Sequence, residues 1–97
     1  MASIRQLKKD IDYLVSQVVI DCFLYNRFVE GAREEAAHEI MEEILALGGE
    51  LRKRVNRTGE PKDSKTLRNH YRAIGLDLLA GCDKAYSKLG KLMEKES

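Results

Sequence analysis

The chain reads as an all-α protein, an antiparallel up-down-up bundle of three long helices. Three observations predict this. Apolar residues recur at three- and four-residue steps through three long stretches, the period of a helix with one buried face. Leu, Ala, Glu, Lys and Arg are abundant and Pro61 is the only proline, which favours helix almost everywhere. The pattern breaks only near Gly31 and between Asn56 and Asp63, and such short connections make sequential helices antiparallel neighbours. With 97 residues, 43% hydrophobic and 34% charged, residues 1–97 form one globular domain that can build a core without staples.

The first helix is expected over residues 3–30. At about 100° per residue, Ile4, Leu7, Ile11, Leu14, Val15, Val18, Cys22, Tyr25 and Val29 form a core-facing stripe. Tyr13, Ile20 and Leu24 fall on roughly the opposite side, with Phe23 beside them. A second apolar face implies a second object packed against it. The expected object is a symmetry mate, giving a homodimer through the first helix with Leu76 helping; the alternative is a central first helix covered by both others. Gly31 suits the left-handed residue that closes the helix.

The second helix is expected over 32–55, with Ala37, Ile40, Met41, Ile44, Leu47, Leu51 and Val55 inward. Glu34 and Glu35 in its first turn and Arg52, Lys53 and Arg54 in its last match the helix dipole. Gly48 and Gly49 interrupt it, but the stripe stays in phase on both sides, so the helix should run through them. After a loop, Asp63 or Ser64 caps the third helix, expected over 64–95. Its stripe is Leu67, Tyr71, Ile74, Leu78, Cys82, Ala85, Leu89 and Leu92, flanked by Gly75 and Gly81, which let a neighbouring helix approach closely.

Net charge is only +1, but it is unevenly spread. Arg52, Lys53, Arg54, Arg57, Lys62, Lys65, Arg68 and Arg72 cluster around the second connection against only Glu60 and Asp63, and the antiparallel topology adds Arg5, Lys8 and Lys9 to that pole. Such a patch suits phosphate or an acidic partner, against the plainer reading of dipole-matched solvated helix ends. It lacks the aromatic platform of single-strand binders and any helix-turn-helix geometry.

Asp21 stands in the most apolar part of the chain, where a carboxylate is costly to bury unless paired. It reads as an edge-of-core residue bonded to a tyrosine hydroxyl or to a basic side chain of another helix. A catalytic acid in a crevice and a register-fixing group in a dimer interface are the alternatives. Glu35 and His38 match the Glu-x-x-His of di-iron bundles, but they point away from the core and no second copy exists: Leu67 occupies the matching place before His70. They read as a solvated acidic face, and His70 as a boundary residue. Cys22 and Cys82 read as small buried hydrophobes in a reducing compartment. With no phosphate loop, nucleophile elbow or Cys-x-x-Cys, no catalytic, metal or cofactor site is expected.

Leu7-Lys8-Lys9-Asp10-Ile11-Asp12-Tyr13-Leu14, with Arg27 further on, resembles the first helix of the small helical chorismate mutases, three-helix intertwined dimers that grip substrate carboxylates with basic residues. The resemblance covers under a third of the chain and implies an inward role for Arg27. The lysine expected about three turns later is replaced by His38 or its acidic neighbours, and the later Arg-Glu pair has no match at a useful place. The stretch Ser3 to Leu14 also resembles the start of a family of small all-helical proteins from Bacteroides-type bacteria. That likeness implies a bacterial cytoplasmic setting and transfers no active-site residues. The expected function is a non-enzymatic protein-interaction module, with nucleic-acid binding through the basic pole as the alternative and mutase-like catalysis third. No stretch is apolar enough for a membrane span.

Overall fold

A computed structural model of the chain describes residues 4–56 and 64–95. It is an all-α bundle of three helices, α1 (Ile4–Phe28), α2 (Glu34–Asn56) and α3 (Ser64–Lys95), packed against one another in a rod of 54 × 18 × 16 Å. At about 1.5 Å per residue α1 alone is roughly 37 Å long, so each helix spans much of the rod.

Cross-helix pairs fix the register. Asp12 meets Arg52 and Val15 faces Gly48, so α2 runs antiparallel to α1. Arg54 meets Asp77 and Lys88 meets Glu43, so α3 runs antiparallel to α2. Asp21 meets Tyr86, placing α1 and α3 side by side in the same direction. These exposed ion pairs are worth about 0–1 kcal/mol each, so they register the helices more than they stabilise them.

Stability comes from the shared apolar seam. Ile11, Val18, Cys22, Leu51, Val55 and Ile74 are almost completely buried, with Ala37, Ile40, Ile44, Leu78, Ala85, Leu89 and Leu92 around them. Every one of these is a stripe position read from the sequence. Of the other stripe positions Leu14, Val29, Met41, Leu47, Leu67 and Tyr71 are half-buried, and Ile4 is exposed, at 44%. The antiparallel register sets Asn56, the last residue of α2, level with residue 8 of α1, so Ile4 extends about one turn past its neighbour.

Two glycines have a clear structural task. Gly31 sits at φ 75°, closing α1 in the left-handed region that other residues rarely adopt. Gly48 lies where α2 crosses α1, and a Cβ there would meet Val15 Cγ2 at 3.0 Å. The helix runs unbroken through it and Gly49, as the in-phase stripe requires. Gly81 similarly admits Leu47 of α2, whereas Gly75 has nothing within 4 Å and no such task. Asp63, one of the two expected caps of α3, and Arg57 and Lys62 of the basic pole lie outside the described residues.

The start of α2 is anchored across the connection. The Arg33 carbonyl accepts the first helical bond, from the Ala37 N–H at 3.1 Å. The Arg33 N–H donates to the hydroxyl of buried Tyr25 at 2.9 Å, so a tyrosine satisfies a backbone donor at the helix start.

Candidate functional site

The outward face of α1 is the largest departure from an ordinary helix. Tyr13 is 63% exposed, Ile20 47%, Phe23 59% and Leu24 42%, while Leu7, Ile11, Val15, Val18 and Cys22 on the other side are buried. The two faces are therefore distinct, and among the described residues α2 and α3 leave the outer one uncovered. Phe28, one turn beyond Leu24, is 75% exposed and extends the face. It ends the four-residue step Ile20, Leu24, Phe28, which was the signal available for finding it.

Leu76 is also exposed, at 58%, but it stands on the solvent side of α3 with Leu79. On the helical wheel it points about 180° away from the buried face of Ile74, Leu78 and Ala85.

Asp21 is half-buried, and the Tyr86 hydroxyl donates to its Oδ2 at 2.6 Å. This is the tyrosine partnership expected for a carboxylate at the edge of the core. Burial, then the hydrogen bond to Asp21 and its charge, push the Tyr86 phenol well above the ordinary tyrosine range. The sequence did not single out Tyr86, because the partner lies 65 residues away and only the α1–α3 register brings it near.

Cys22 and Cys82 are free thiols on the buried faces of α1 and α3. Burial pushes both thiols up, aided by the charges of Asp21 and Asp83 respectively. A raised thiol is a poor nucleophile. Among the described residues no group of three or more His, Cys, Asp or Glu side chains could hold a metal. Glu35, His38 and Glu42 are exposed on the outer side of α2, and Glu43 is held below the usual carboxylate range by the hydrogen bond from Lys88.

His70 is half-buried, with Nε2 2.9 Å from the carbonyl oxygen of Arg54 in the last turn of α2 and its ring 5.3 Å from that of Tyr71. As a donor it satisfies one of the carbonyls that a helix end leaves open. Arg27 is exposed, seven residues from Ile20 and on the same outer face, so it does not take the inward place that the mutase resemblance implies.

At the basic pole, Arg52 donates to Asp12 at 2.5 Å and Arg54 to Asp77 at 2.6 Å, so these two guanidiniums serve the bundle. Lys8 is half-buried, and Arg5, Lys9, Lys53, Lys65, Arg68 and Arg72 are exposed. No family model, curated protein or solved structure matches the chain. None of the described helices is long and apolar enough to cross a membrane.

Proposed function

We propose that this protein is a non-enzymatic helical interaction module that pairs with a second copy of itself through the outer face of α1. One observation carries the reading: Tyr13, Ile20, Phe23 and Leu24 remain 42–63% exposed in a bundle whose three helices are otherwise well buried along their seams. Four large apolar side chains on one helix face exceed what solvation of a surface helix calls for.

The partner is argued from spacing. Tyr13, Ile20 and Arg27 follow one another at steps of seven, with Ser16, Phe23 and Leu24 between them, as on a coiled-coil seam. Ile20 is midway between Tyr13 and Arg27. Two copies crossing antiparallel at Ile20 set each Tyr13 ring against Arg27 of the partner subunit, a favourable cation–π pairing, and the two-fold closes the assembly.

The test is Ile20→Glu, which puts two carboxylates at the crossing point while touching no buried residue. Size-exclusion chromatography with light scattering is expected to show the unaltered chain as a dimer and the variant as a monomer with unchanged helical circular dichroism. A variant that stays dimeric would place association elsewhere. A chain that is monomeric before substitution defeats self-association itself.

A further inference from the structure

The basic end of the rod carries a second surface of different chemistry. The described segments that form it, residues 4–9, 52–56 and 64–72, hold nine Lys and Arg residues and no Asp or Glu. Arg52 and Arg54 are engaged by Asp12 and Asp77 further along the bundle. Of the other carboxylates nearby among the described residues, Asp10 accepts from Gln6 and Glu50 sits farther from the end; Glu60 and Asp63 lie outside the described residues. Six exposed cations remain with no ion pair among the described residues: Arg5, Lys9, Lys53, Lys65, Arg68 and Arg72.

Holding like charges together costs free energy, and no ion pair among the described residues offsets it here. The helix dipole accounts for Lys53 at the end of α2, but not for three cations in the first turns of α3, where the dipole disfavours positive charge. Lys65, Arg68 and Arg72 recur at steps of three and four, on one solvent-facing side of α3. They span about 10 Å along the helix, which equals roughly three phosphate steps along one strand of a duplex.

We infer that this pole binds the phosphate backbone of double-stranded nucleic acid without reading sequence. The cations are spread over all three helices across an end 18 × 16 Å wide, a layout suited to a broad repeating polyanion. A short acidic motif is held by a compact Arg cluster, whereas here the cations are dispersed over three helices. Within these three segments the aromatic rings, Tyr71 and His70, are half-buried and packed on each other, so they offer no platform on which the bases of a single strand would stack.

Fluorescence anisotropy with a labelled duplex of about 20 base pairs and arbitrary sequence tests this. If four of the six cations engage phosphates, the log–log salt slope is about −3.6, and affinity falls roughly 150-fold between 50 and 200 mM salt. Arg68→Glu/Arg72→Glu is expected to weaken binding at least about tenfold, while the equally charged control Lys84→Glu/Lys91→Glu, about 18 and 28 Å beyond Arg72 along α3, stays within about threefold. Undetectable or salt-insensitive binding overturns the inference. Equal losses in the two variants overturn it too, since they reduce binding to net charge. So does displacement by polyglutamate as effective as by unlabelled duplex, which identifies an acidic-protein site instead.

Discussion

Gly48→Ala and Gly49→Ala are chemically identical changes, one residue apart in the same helix, yet they should move stability in opposite directions. Replacing an interior helical glycine by alanine gains about 1 kcal/mol of propensity. At Gly49 a Cβ meets nothing within 4 Å, so the full gain is expected. For a domain of this size that raises Tm by roughly 4–8 °C. At Gly48 the Cβ would stand 3.0 Å from Val15 Cγ2 and 3.6 Å from its Cγ1. Val15 is buried and β-branched, with one strongly preferred helical rotamer, so it cannot swing aside. Relief requires α1 and α2 to part by several tenths of an ångström, an overpacking cost of about 1–3 kcal/mol. The net effect at Gly48 is a loss of about 0–2 kcal/mol, leaving Gly48→Ala below Gly49→Ala by about 1–3 kcal/mol. Thermal and urea unfolding followed by far-UV circular dichroism, at one fixed protein concentration, measures both. Adding Val15→Ala to Gly48→Ala should recover part of the loss as a favourable coupling in the double-mutant cycle. If Gly48→Ala stabilises as much as Gly49→Ala, the α1–α2 register described above is wrong.

Three further outcomes follow from the α1–α3 seam and its buried groups. Tyr86→Phe leaves half-buried Asp21 without its donor, and Asp21→Ala removes the acceptor; each should lower stability by about 1–2 kcal/mol in urea melts, and no loss in either would show the bond to be idle. Because the folded chain holds the Tyr86 proton above its unfolded value, that contribution is complete below about pH 10 and is lost as pH rises through the folded value. Stability should therefore decline in alkali, less steeply in Tyr86→Phe, though Cys22 and Cys82 act with the same sign above about pH 9. Cys22 should react with a thiol reagent only as fast as the bundle opens, its rate rising with urea, whereas prompt labelling in native buffer would contradict its burial.

Most of the fold was legible because each helix carries one dominant stripe and the breaks are few. Periodicity sees faces, so it found the core and the second face of α1 together, and it placed Asp21 at a boundary where a partner was required. It does not see which helix sits opposite which residue. Tyr86, the Asp12–Arg52 and Arg54–Asp77 pairs and the Gly48–Val15 approach all depend on axial register, which arises from packing across 23 to 65 residues of chain. Charge clustering at one pole was visible as soon as the topology was antiparallel, but which of its cations are tied down was not.

Sedimentation equilibrium of the unaltered chain at tens of micromolar tests self-association most directly. Pairing through Tyr13, Ile20, Phe23 and Leu24 predicts a particle of twice the chain mass that dissociates on dilution. A mass equal to one chain at every concentration would mean that this apolar face stands in water without a copy of itself to cover it.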